Sequence, residues 1–119
     1  MSRYIPFSTR SDFYRISIDR IVFIAADKNY TSIQLSNGKT IVFTLSLQKM
    51  QSYIVDILGD DARIFVRVGK SYIVNLSYIY HIDHNKRKLV LYADKESAEF
   101  TLSMSAESLR LLHDLMARK

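Results

Sequence analysis

Two short stretches of this 119-residue sequence set cations beside hydrogen-bonding side chains at breaks between β-rich runs. In Asp27-Lys28-Asn29-Tyr30-Thr31, the Asn amide can pair bidentately with an adenine edge. Thr can bond a phosphate or meet a thymine methyl, and Lys supplies charge. In the second stretch, apolar runs at 64–68 and 72–76 flank Gly69-Lys70-Ser71, so Arg67 on a strand stands next to a Lys and a hydroxyl at a turn. A cation and a donor held side by side on a rigid platform suit phosphates and the base edges of a DNA groove. Both stretches also fit the plainer description of β-turns with solvated charges. Lys86-Arg87-Lys88 offers the same choice, between a solvated turn and a cationic rest for flanking phosphates.

Other chemistries have thinner support. His81, Asp83 and His84 invite a metal or acid–base reading, with His81 and Asp83 on one strand face and His84 entering a turn. No further carboxylates stand at a metal-ligand spacing, so solvated or structural histidines are expected, and His113-Asp114 is expected at the surface. The sequence has no phosphate-cradling glycine loop, nucleophile elbow or zinc-protease motif, and no serine with a recognisable catalytic partner. It has no cysteine for thiol chemistry, disulfides or thiolate metal sites. No catalytic residue, metal or cofactor is expected.

The net charge of +5 and pI near 9.5 favour an anionic partner, either nucleic acid or an anionic membrane surface. No apolar run approaches the roughly 18 residues of a membrane span, and the N-terminal residues lack the apolar core of a secretory signal. A cytoplasmic location is the expectation.

These residues need elements to position them. Residues 14–18, 21–25 and 31–35 read as strands, and Asn37-Gly38 as a type I′ hairpin turn into 40–44. Ser46 is a plausible N-cap for a helix over 47–58, with Leu47, Met50, Ile54, Ile57 and Leu58 at helical spacing and Gly59 at its end. Residues 64–68, 72–75, 78–82, 88–92 and 98–102 read as further strands, with a hairpin turn at His84-Asn85-Lys86-Arg87. Ser103 or Ser105 caps a final helix whose face is Leu109, Leu112, Leu115 and Met116, either docked as core or offered to a second protomer. The expected architecture is mainly β: about nine or ten short antiparallel strands and two helices. Residues 1–12 form an arm or edge strand, and 13–119 a single domain.

The segment Phe65-Val-Arg-Val-Gly-Lys-Ser-Tyr-Ile-Val-Asn75, followed by Ile79 and Ile82, resembles the core signature of the LytTR DNA-binding domain family. The resemblance extends over roughly 14–112, through Ile18-Asp-Arg-Ile-Val-Phe-Ile-Ala-Ala26, Asn29-Tyr30, Leu45-Ser-Leu47 and Phe100-Thr-Leu-Ser103. It implies a fold of several small stacked antiparallel sheets, serving as the output domain of a response-regulator-like bacterial transcription factor. Its partner would be double-stranded promoter DNA, bound as a homodimer on direct repeats with loops in the major grooves. The family's contacts map to Asn29, Tyr30 and Thr31, with Lys28 beside them as a source of charge, then to Arg67, Lys70 and Ser71. A third contact follows the last strand, where relatives often carry a basic residue and this chain has Met104 and Ser105. Ser105 is then either a weak contact or a helix cap. Gly69 stands where many relatives carry a His. These departures leave room for a second reading, a protein-interaction or dimerisation module of the same fold. Relatives often carry a receiver domain, for which 119 residues leave no room, so the expectation is either a fragment of a longer protein or a small protein with a separate sensor or regulatory partner.

Overall fold

The computed structural model describes residues 3–92 and 98–118, which fall into two compact units divided between Asn75 and Leu76. The first unit opens with β1 (Tyr4–Ser8) and β2 (Phe13–Ser17), an antiparallel pair in which Ile5 faces Ile16 across the ladder. The N-terminal residues are therefore strand from Tyr4 on. A five-stranded sheet follows, built from β3 (Ile21–Asp27), β4 (Tyr30–Leu35), β5 (Thr40–Phe43), β6 (Phe65–Val68) and β7 (Tyr72–Asn75). Its order is β5-β4-β3-β7-β6 and every pairing is antiparallel. Residues 18–20, at the start of the resemblance's early strand, form a single 3-10 turn before β3 begins.

Helix α1 (Leu47–Leu58) packs against β1, β3, β4 and β7. Its buried residues Leu47, Met50, Ile54 and Leu58 recur at three- and four-residue intervals, which gathers them on one face. Ser46 caps it by accepting the Lys49 N–H at 3.1 Å. Gly59 ends it at φ +57, a conformation that costs glycine little and other residues more. The Arg3 guanidinium also caps this end, donating to the carbonyls of Ile57 (3.1 Å) and Leu58 (3.3 Å) and pairing with Asp61 at 2.9 Å. Phe7 joins the hairpin to the core through Phe43, with ring centres 5.0 Å apart, and through Tyr53, at 5.5 Å.

Asn75, the last residue of the motif, is buried and donates from Nδ2 to the Ile21 carbonyl at 2.8 Å. It ties the end of β7 to the start of β3, so its part in the motif is structural. The turn at Asn37-Gly38 differs from the expected type I′, which needs positive φ at both central residues. Only Gly38 has it, at φ +94. The Gly38 N–H closes a turn onto the Leu35 carbonyl at 3.0 Å, and Asn37 Oδ1 accepts the Lys39 N–H at 3.0 Å. That is the pattern of an ordinary turn followed by a glycine bulge.

The second unit holds β8 (Ile79–Asp83), β9 (Lys88–Leu91) and β10 (Phe100–Ser103) in one antiparallel sheet of order β10-β9-β8, followed by α2 (Ala106–Ala117). Leu89 and Leu91 are fully buried, as are Leu109 and Leu112 of α2, while Leu115 and Met116 are half-buried. The core reading of the helix stripe therefore holds for its first two members. Ten strands and two helices among the described residues match the mainly β expectation.

Candidate nucleic-acid interface

In the first unit, Lys28 and Asn29 make the two-residue turn between β3 and β4. Only Lys28 has positive φ, at 57°. A two-residue hairpin turn with that feature at its first position normally places glycine there. Lys28, Asn29 and Tyr30 are exposed, Tyr30 by 50%. Gly69, Lys70 and Ser71 make the turn between β6 and β7, with Gly69 at φ +60 and all three exposed. Because β7 pairs with β3, placing Tyr72 opposite Ala25, the two turns leave the same end of the sheet on neighbouring strands. The Ser71 carbonyl accepts the Ala26 N–H at 2.8 Å and joins them directly. Lys28, Asn29, Tyr30, Lys70 and Ser71 are thus carried on one rigid edge, two cations with amide, phenol and hydroxyl groups. Asp27 is the one carboxylate on these two turns and the residues flanking them.

Two expected contacts lie elsewhere. Thr31 shares a strand face with Ile33, sits opposite Phe43 and Ala26, and is fully buried. Its Oγ1 has no hydrogen-bond partner among the described residues. No side chain so placed can meet a phosphate or base without opening the sheet edge. Arg67 is half-buried on the face of β6 that carries Phe65, and its guanidinium donates to Gln51 Oε1 of α1 at 3.4 Å. Its Nε is buried with no partner among the described residues. Arg67 therefore leans on the helix and stands apart from the turn tip.

In the second unit, residues 84–87 form the β8–β9 turn, in which Lys86 and Arg87 are exposed. Asp83 Oδ1 accepts the Lys86 N–H at 3.0 Å. That backbone bond, reinforced by the Lys86 charge and the Asn85 N–H, holds the Asp83 carboxyl below its usual range. Arg87 has φ +55, and its carbonyl accepts the Met104 N–H at 3.1 Å. Lys88 lies opposite Ser103 in the ladder and donates from Nζ to Ser103 Oγ at 2.6 Å. Ser105 is the N-cap of α2: its Oγ accepts the Ser108 N–H at 3.1 Å and donates to Ser108 Oγ at 3.0 Å. The hydroxyl is committed to the helix, which supports the capping reading of Ser105.

A model of the LytTr DNA-binding domain family matches residues 11–116. The chain belongs to the LytTR family. Among solved structures, a LytTr DNA-binding domain from Bacillus cereus is similar in fold, with a TM-score of 0.63, 17% sequence identity and 97% of each chain covered. No curated protein sequence matches this one. LytTR domains are DNA-binding output domains, so the partner class is DNA. Among the described residues no helix is long and apolar enough to cross a membrane, and no group of three or more His, Asp or Glu is placed to hold a metal ion.

Membership also gives the two departures a setting. This LytTR chain places glycine at position 69, where φ +60 is free of Cβ strain and the backbone turns tightly into Lys70. Without a basic residue directly after β10, it sets Lys88 of the neighbouring strand against Ser103. Neither that pairing nor Arg67–Gln51 carries a local signal, because the partners are 15 and 16 residues apart and meet only once β9 and β10 are in register and α1 is docked. The burial of Thr31 did carry one: it alternates with Ile33 and Leu35 on the apolar side of β4.

Proposed function

We propose that this LytTR domain binds double-stranded promoter DNA sequence-specifically, inserting its β3–β4 and β6–β7 turns into the major groove as a bacterial transcriptional regulator. Asn29 reads a base edge and Lys70 a phosphate or a guanine, while Lys28, Tyr30 and Ser71 hold the backbone. Lys86, Arg87 and Lys88 add charge from the second unit. Arg67 acts through Gln51 and α1, positioning β6, or swings out to a phosphate when DNA is present. Thr31 supports the turn from inside. The observation that carries this reading is the main-chain bond between Ala26 and Ser71, which holds the two exposed turns side by side. On this reading residues 13–119 form the DNA-binding domain. The protein acts in the cytoplasm, as a homodimer on direct repeats, under the control of a separate sensor or regulatory protein.

A second reading, a protein-interaction or dimerisation module of the same fold, draws on the exposure of Tyr80 (68%) and Leu111 (47%). Selection of random duplex DNA on the purified protein at about 150 mM salt, a concentration at which phosphate contacts are substantially screened, separates the two. An enriched direct repeat spaced by about one helical turn supports DNA reading. A folded sample that enriches nothing, and on which a partner protects residues 105–118 rather than 28–31 and 69–71, favours the interaction module.

A further inference from the structure

His84 begins the β8–β9 turn and His113 lies in the middle of α2, both exposed. His84 Nε2 and His113 Nδ1 are 2.8 Å apart, with ring centres 5.0 Å apart and planes inclined by 28°. The difference between those two distances is close to two ring radii, so the imidazoles meet edge to edge on the N···N line. One nitrogen then aims its lone pair at the other's N–H. Zinc sits about 2.0–2.1 Å from each imidazole nitrogen in a tetrahedral set, which spaces two such nitrogens about 3.3 Å apart, wider than the pair observed. The observed spacing fits one shared proton.

We infer that His84 and His113 form a proton-operated clasp that holds the β8–β9 turn to α2 at neutral pH and releases it in acid. With both rings neutral, one donates and the other accepts. With one ring protonated, the same bond becomes charge-assisted. With both protonated, two N–H groups face each other, no lone pair remains, and two positive charges repel across the gap. The clasp is therefore lost only when both rings carry a proton.

Other charged groups on these elements bear on that step. Lys86 and Arg87 in the turn, Lys88 at the start of β9 and Arg110 on α2 oppose a doubly charged pair, whereas Asp83 and Asp114 favour it. His81 lines, with His113, Met116 and Ala117, an open groove of about 390 Å³ between β8 and α2, and adds a further proton site. Release frees the His84 and His113 side chains and loosens the start of the turn, while Lys86 stays bonded to Asp83 and Arg87 to Met104. The helix itself stays, because Leu109 and Leu112 remain fully buried.

The test is ¹⁵N relaxation on the whole protein at pH 7.5 and 4.5, for wild type, His84→Ala and His113→Gln. The amides of Leu109 and Leu112 report that α2 is intact. In wild type, the order parameters of residue 84 and Asn85, at the start of the turn, are expected near the rigid value of about 0.85 at pH 7.5 and below about 0.6 at pH 4.5. His84→Ala is expected to give the low values at both. His113→Gln keeps a pH-independent partner and is expected to show no such drop. Asp83, held below its usual range, keeps its own bond to Lys86 at pH 4.5 and so does not imitate the effect. Wild-type order parameters that do not move, or a His84→Ala variant that responds to pH as wild type does, overturn the clasp. So does stoichiometric Zn²⁺ perturbing both rings at pH 7.5, which assigns the pair to a metal.

Discussion

Replacing Thr31 by valine should stabilise the protein and leave DNA binding intact. Thr31 is fully buried, and its hydroxyl has no partner among the described residues, yet its methyl packs on the side of β4 that carries Ile33. A buried hydroxyl without a partner costs about 1–3 kcal/mol, and exchanging it for a methyl of nearly the same shape removes that penalty while keeping β-branched packing. We take about 1 kcal/mol as the net gain, because the hydroxyl gives up some water contact in the unfolded chain as well. With an unfolding entropy of about 2.1 cal/mol/K per residue, that corresponds to a rise in Tm of roughly 4 °C for a chain of this size. Thr31→Ser serves as the opposite control, because it keeps the hydroxyl and deletes the methyl, and it should lose about 1 kcal/mol. Urea unfolding followed by circular dichroism gives the stability, and fluorescence anisotropy on the selected DNA repeat gives the affinity. Destabilisation of Thr31→Val by 1 kcal/mol or more shows that the hydroxyl has a partner in the folded protein. A folded Thr31→Val that loses tenfold in affinity shows that the residue leaves the core to meet DNA.

Three further outcomes are expected. Lys28→Gly relieves a positive φ and should raise stability by about 0.5–1 kcal/mol while lowering DNA affinity, seen by comparing thermal melts with anisotropy. If about four phosphates are neutralised, affinity falls on the order of a hundredfold between 50 and 200 mM salt, and Lys70→Ala should flatten the log–log slope by about one; an unchanged slope removes Lys70 from the contact. The Asp83 carboxyl is held below its usual range, so its contribution to stability is fully present above the ordinary aspartate value and is lost as pH falls through the lowered native one. Asp83→Asn should therefore weaken the acid dependence of unfolding in that window only, and the Lys86 amide shift should titrate with the carboxyl in wild type.

Features whose causes are local were legible in the sequence. Helix α1 was, because Ser46, Gly59 and the spacing of Leu47, Met50, Ile54 and Leu58 fix its ends and its face within one short segment. The tip at Gly69-Lys70-Ser71 was, because glycine between two β-rich runs leaves little choice but a turn. Asn37-Gly38 gave the right hairpin with the wrong turn, since a dipeptide does not say which positions of the turn it fills. Arg67 reads as a solvated cation on its own strand and becomes a helix-facing one only when α1 brings Gln51 across 16 residues. His84 and His113 are 29 residues apart and in different kinds of element, so nothing local announced their bond.

The link between Ala26 and Ser71 is made by main-chain atoms, an N–H and a carbonyl, so neither residue's side chain is needed for it. The frame that aligns the two turns is consequently separable from the alphabet they display. Side chains at 29, 30, 70 and 71, and at 28 within the residue types that tolerate its positive φ, can be varied without touching that bond, whereas proline at 26 removes its donor. A library over those five positions is a route to domains with new target preferences on an unchanged scaffold. A proline at 26 is the substitution that breaks the alignment while leaving every exposed letter in place.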